Sequence, residues 1–239
     1  MLKTGAMSPK KTAVSEKRRF YAHFPAFQAH ISQKTEPAGL EKSGGLCYNK
    51  AMKDIYIILS HTRSVISRII RVATGDAYTH ASIGFEDDPN VMYSFGRLFP
   101  HNPFWSGFVQ ESPDFGTMKR FRDADVAVLR ISVQEDEYER IRGHVLGMYS
   151  RRRQYGYNYI GLLLAKFGIT YRWQNHYYCS EFLKELLEKF GLVAEGELSD
   201  IARPVEFLNL RRVQVIYTGS LWRFALSLNA RGKALLEGD

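Results

Sequence analysis

Apolar and polar positions divide the chain into stretches with distinct periods. Residues 54–60, Asp54-Ile55-Tyr56-Ile57-Ile58-Leu59-Ser60, form a continuous β-branched and aromatic run, the pattern of a buried strand. Residues 64–72 set Val65, Ile66, Ile69 and Ile70 opposite Arg63, Arg68 and Arg71 and predict a helix that Gly75-Asp76 ends. Tyr78-Thr79-His80-Ala81-Ser82-Ile83-Gly84-Phe85 alternates, so His80, Ser82 and Gly84 share one face of a strand. The polar turn of residues 86–90 and the run Val91-Met92-Tyr93-Ser94-Phe95 make it a hairpin.

Residues 96–113, with Pro100, Asn102, Pro103 and Gly107 among aromatics, read as a loop closed by a short strand over 107–111. A strand follows over 125–133. A helix over 134–152 then carries acids in its first turn and Arg151-Arg152-Arg153 at its end, the polarity that suits the helix dipole. A helix over 162–167 stops at Gly168. From Cys179 onward, Phe182, Leu183, Leu186, Leu187 and Phe190 oppose Lys184, Glu185, Glu188 and Lys189, an amphipathic helix with Gly191 placed to cap it. Pro204 begins a helical turn, and residues 212–218 and 221–228 read as two more strands. Strands flanking a helical middle predict an α+β domain with an antiparallel sheet, open or closed into a small barrel.

Charge divides the chain differently. Of the net +8, residues 1–50 hold +6, nine Lys/Arg against three acids. The remainder is nearly neutral, which argues against specific nucleic-acid recognition by the globular part. The expected organisation is a flexible basic tail over 1–52, one domain over 53–230 and a short C-terminal tail over 231–239. The tail suits weak contact with an anionic membrane surface. With no apolar run of eighteen residues, a transmembrane helix is not expected. No apolar signal-peptide core follows the first basic residues. Two cysteines, Cys47 and Cys179, make no disulfide framework and fit a reducing, cytoplasmic setting.

The chemistry these patterns allow centres on Cys179. A thiol at a helix start sees unpaired amides and the positive end of the dipole, both of which favour the nucleophilic thiolate. An imidazole would complete its activation, and His80 is the best placed candidate. His61, His101, His144 and His176 lack metal-ligand spacing, and no phosphate-binding glycine loop is present, so neither metal nor cofactor is expected.

Four stretches in order, Tyr78-Thr79-His80-Ala81-Ser82-Ile83-Gly84, Tyr155-Gly156-Tyr157-Asn158-Tyr159-Ile160-Gly161-Leu162-Leu163, Tyr178-Cys179-Ser180-Glu181-Phe182 and Arg203-Pro204-Val205-Glu206-Phe207, resemble the circularly permuted NlpC-type papain-like proteins. These include the bacterial YaeF/YiiX-like group and, more distantly, the lecithin:retinol acyltransferase group. The resemblance covers roughly residues 54–228. It implies a papain-like fold in which an antiparallel sheet or small barrel packs against the helix bearing the cysteine.

By position it makes Cys179 the nucleophile and His80 the general base. The family's polar third residue falls at Ser94, which can hydrogen-bond an imidazole but brings no negative charge; Glu111 is the alternative. The Cys179 amide is a natural oxyanion donor, with Tyr177 or Tyr178 as a candidate second one. The function implied is a thiol hydrolase or acyltransferase acting on amide, ester or thioester bonds of a peptide or an acyl-bearing small molecule. The competing expectation, for which Ser94 speaks, is a non-catalytic binding module on the same fold.

Overall fold

A computed structural model describes residues 51–62, 71, 75–99 and 102–227, with the side chains of 102–104 excluded. The expected tails and most of the helix expected over 64–72 lie outside the described residues; Arg71 within that helix is helical. All described residues belong to one unit.

The molecule is α+β. Six strands form one antiparallel sheet: β1 (Met52–His61), β2 (His80–Phe85), β3 (Asp88–Phe99), β4 (Asn102–Glu111), β5 (Asp125–Gln134) and the last strand of the chain (Gln214–Ser220). From end to end they run β4, β3, β2, β1, β5 and the strand Gln214–Ser220, so among the described residues the sheet is open and β4 is an edge. The central strand β1 pairs Ile57 with Ile83 on one side and with Leu129 on the other. That position, covered on both faces, is why its sequence is a continuous apolar run rather than an alternation.

Alternation sorts the other strands. Ile55, Ile57, Ala81, Ile83, Tyr93, Phe95, Phe108, Leu129 and Ile131 face one layer of helices. Ile58, Met92, Val126 and Val128 face the other side with Met118, Leu221 and Phe224. On that second side lie α1 (Gly116–Arg120) and the helical residues 221–227.

Two helices supply most of the principal layer. The first, α2 (Glu135–Ser150), buries Tyr138, Ile141, Val145 and Met148 and begins with Glu135, Asp136 and Glu137 at its positive end. After it, a two-residue strand β6 (Gly156–Tyr157) leads into α3 (Tyr159–Ala165). A matching β7 (His176–Tyr177), parallel to β6, leads into α4 (Cys179–Lys189).

Helix α4 buries Phe182, Leu183, Leu186 and Leu187. It ends in a Schellman turn in which the Leu192 amide donates to the Leu187 carbonyl and the Gly191 amide to the Glu188 carbonyl. Gly191 has φ of 67°, the left-handed conformation that glycine adopts without a Cβ penalty. The last strand of the chain is β8 (Gln214–Ser220).

Two expectations are corrected. Residues 96–99 and 102–106 are strand rather than loop: β3 runs on to Phe99 and β4 starts at Asn102, and the two pair antiparallel. Residues 221–227 are helical rather than extended, with Leu221, Phe224 and Ala225 buried at the i, i+3, i+4 spacing of a helix face. No helix among the described residues is long and apolar enough to cross a membrane.

The cysteine helix is fixed to the sheet by an aromatic contact. The Phe182 ring lies 5.4 Å from that of Phe95 and 5.2 Å from that of Phe108, and those two are 5.0 Å apart. Removing a buried ring from such a cluster forfeits its transfer free energy and leaves a cavity. Phe182→Ala is therefore expected to lower unfolding stability by about 3–5 kcal/mol. Denaturant titration checks this, and a loss below about 1 kcal/mol would show that the helix is held elsewhere.

Candidate active site

Cys179 is the first residue of α4, with Tyr178 in extended conformation before it. Glu181, in the first turn, accepts the Tyr178 amide at 3.2 Å, which ties down the chain entering the helix and sets an acid near its positive end. A second restraint comes from Asn158, fully buried, whose side-chain amide donates to Glu181 at 3.2 Å and to the Tyr171 carbonyl at 2.9 Å. Its carbonyl oxygen accepts the Gly161 amide at 2.8 Å and so caps α3. The start of the cysteine helix is thereby anchored to the loop carrying Tyr157.

His80 opens β2, paired with Ser60 at the end of β1. Its Nε2 lies 3.0 Å from Glu111 Oε2 and 3.2 Å from Ser94 Oγ. Oε2 also accepts the hydroxyls of Ser82 at 2.8 Å and Ser94 at 2.9 Å. Gly96 lies beneath this group; a Cβ there would approach Glu111 Oε1 to 3.2 Å. With Nε2 turned to the carboxylate, the other ring nitrogen is the one left to Cys179, whose charge acts on the imidazole and is acted on by it. Sulfur, imidazole and carboxylate therefore stand in series.

Electrostatics follow from that order. Burial favours neutral Glu111, but His80 and the Ser82 and Ser94 hydroxyls outweigh it and hold the carboxyl below its ordinary range. Burial likewise opposes a charge on His80, yet the charges of Glu111 and Cys179 raise its pKa well above that of a free imidazole. For Cys179, burial pushes the thiol up; His80 and hydrogen bonds from the Ala81 and Ser180 amides bring it below its ordinary value. Both shifts act in favour of the thiolate–imidazolium pair. At 5% exposure Cys179 is shielded from bulk water, which strengthens the pairing and restricts attack to a group that enters the site.

The residues singled out from the sequence come together except Tyr177, whose hydroxyl donates to Glu185 at 3.2 Å. Cys179 and His80 meet. Ser94 and Glu111 both reach the imidazole, and Glu111 supplies the negative charge that serine lacks. Tyr178 is buried at the helix cap, its phenol pushed up by burial and by the charges of Glu181 and Cys179.

Tyr157 was not singled out as a site residue. Its phenol is pushed well up, first by burial and then by the charge of Cys179, so it stands within electrostatic reach of the sulfur. The Tyr155-to-Tyr159 stretch carried the family resemblance, but the parallel pairing of Tyr157 with Tyr177 that brings it to the cysteine has no local signature. Arg97 on β3 lies close enough to feel both Glu111 and Tyr157 and adds a cation at the edge of the group.

Among the described residues no cluster of three His, Cys, Asp or Glu side chains is placed to hold a metal ion. Comparison with known proteins finds no matching family model, no matching curated protein and no matching solved structure.

The pH dependence of thiol alkylation reads this electrostatic order directly. Because the thiol pKa is depressed, the alkylation rate of Cys179 by iodoacetamide is expected to reach half its maximum below the pH typical of free cysteine. His80→Ala leaves burial unopposed by the imidazolium and shifts that midpoint upward. Glu111→Gln removes the charge that keeps His80 protonated and shifts it upward by less. Midpoints that coincide in all three proteins would rule out the coupling.

Proposed function

We propose that the chain is a thiol hydrolase or acyltransferase acting on amide, ester or thioester bonds, built on a permuted papain-like fold. The observation that carries this reading is the position of His80, between the thiol at the start of a helix and a buried, hydroxyl-supported carboxylate. An inert core cysteine has no need of that arrangement. The order of the parts agrees with the fold: the histidine strand precedes the nucleophile helix in the chain, and the helix packs on an antiparallel sheet.

The chemistry proceeds in two steps. Thiolate sulfur adds to the substrate carbonyl carbon, and the electron pair of the C=O bond moves to oxygen. The Cys179 amide at the helix start, with the Tyr157 phenol as side-chain donor, stabilises that oxyanion. As the tetrahedral adduct collapses, the bond to the leaving nitrogen, oxygen or sulfur breaks and His80 delivers its proton to that atom, leaving a thioester on Cys179. His80, now neutral, takes a proton from water or an acceptor hydroxyl or amine as it attacks the thioester. The acid or transferred product departs, and the sulfur returns to its pair with imidazolium. Glu111 fixes the ring and stabilises the charge that His80 carries, with Ser82 and Ser94 holding the carboxylate in place.

The binding-module alternative rested on serine in the third position, and Glu111 at 3.0 Å from Nε2 removes that deficit. Cys179→Ala and His80→Ala are each expected to reduce turnover on the order of 10³-fold or more; the unfolding transition stays nearly unchanged in Cys179→Ala and falls in His80→Ala, which leaves Glu111 buried without its cation. The reaction is read by mass spectrometry, as an adduct on Cys179 formed from a panel of acyl, peptide and thioester compounds. Equal hydrolysis by Cys179→Ala would overturn the reading.

A further inference from the structure

Residues 159–173 run from the site loop over the outside of the molecule, and of these fifteen only Gly161 is buried. Their large apolar side chains face outward. On α3 and the turn after it, Ile160, Leu163 and Phe167 stand three and then four positions apart, with Leu163 63% and Phe167 68% exposed. Trp173 is exposed as well and stacks on His176 at 3.8 Å, while Ile169 and Tyr171 are exposed but border a cleft against α4. Scattered exposed apolar residues need no explanation, but a run this dense in one short segment does.

Charge identifies the occupant. From Arg140 to Ser180 the chain contains seven Lys/Arg and not one Asp or Glu, although the globular part as a whole is nearly neutral. Lys166 lies within the apolar row, and Arg151, Arg152 and Arg153 shortly before it. The acids that border the segment, Glu181, Glu185 and Glu188 of α4 with Asp200, line a cleft with Ile169, Tyr171, Arg172 and Lys184 rather than with Ile160, Leu163 or Phe167. A second copy of the chain docking face to face would bring Lys166 towards its own symmetry mate. The first fifty residues of the chain, net +6, would likewise bring like charge.

We infer that this face is a docking surface for an anionic lipid bilayer, with Ile160, Leu163 and Phe167 entering the headgroup region and Lys166, which lies among them, at its phosphates. The surface is joined to the site: Tyr159, at the start of α3, stacks at 4.7 Å on Tyr157, and Asn158 between them is bonded to the cysteine helix. Docking there delivers the thiol to acyl groups held at a membrane surface. That consequence rests on the proposed thiol chemistry, whereas the docking itself does not.

Flotation of the full chain with vesicles tests it, comparing phosphatidylcholine alone with equal parts phosphatidylcholine and phosphatidylglycerol. Wild-type protein is expected to float with the anionic vesicles and much less with the neutral ones. Ile160→Ser, Leu163→Ser and Phe167→Ser combined should weaken that binding by about tenfold or more, because each removes exposed apolar surface that insertion would bury. Lys166→Glu should weaken binding to anionic vesicles only. No flotation of the wild type overturns the inference. So does equal flotation of the triple variant, which would assign binding to the basic tail, as does a wild-type oligomer that the triple variant dissolves, which would assign the face to a second copy. Cys179 alkylation, measured on the same samples, separates the two proposals: fast alkylation without flotation sinks docking alone, and flotation with a sluggish thiol sinks the chemistry alone.

Discussion

A carboxylate withdrawn from water must be met by hydrogen-bond donors and a cation, or it takes up a proton. Glu111 is buried and is met by both: two serine hydroxyls and the His80 ring converge on one of its oxygens. This condition orders what surrounds it. Ser82 and Ser94 occupy positions on neighbouring strands where an apolar residue would leave the charge short of donors, and Gly96 leaves room for the carboxylate beside them. Once the carboxylate is held ionised, the imidazole keeps its proton despite burial, and once the imidazole is charged, the thiolate becomes the favoured form of Cys179. No member of the series holds its charge by itself.

The series also requires the helix start to arrive at the right place, and packing rather than polarity sets that. Phe182, one turn into α4, lies against Phe95 and Phe108, residues of the same two strands that supply Ser94 and Glu111. One hairpin therefore positions the acid and the seat of the nucleophile together, the first through one face and the second through the other. An aromatic cluster suits this task because ring contacts have preferred geometry as well as area. A shift of the hairpin would move carboxylate and helix in step.

What the sequence made legible was local. The β1 run, the His80 alternation and the amphipathic helix at Cys179 follow from periods of two and 3.6 within a few residues. Recognition of Glu111 as the charged partner needed the β3–β4 register, and Pro100, Asn102, Pro103 and Gly107 read there as a loop. An edge strand tolerates such residues because one side of it makes no ladder, and β4 is an edge. Residues 221–227 misled in the opposite sense: their aromatic and aliphatic content suggested a strand, while the spacing of Leu221, Phe224 and Ala225 was that of a helix. Tyr157 comes within electrostatic reach of the sulfur through a two-residue parallel pairing across twenty positions of chain, which no short-range pattern records.

That pairing also explains why an apolar, basic segment can stay exposed. β6 and β7 close the ends of residues 156–177 on one another, and Asn158 pins the same closure to both Tyr171 and Glu181. Held at its base, the excursion does not need to bury its own apolar side chains in order to keep its place. The bonds that align the start of the cysteine helix thus leave Ile160, Leu163 and Phe167 free to face outward. Site geometry and surface character are two results of one set of constraints on a single buried asparagine.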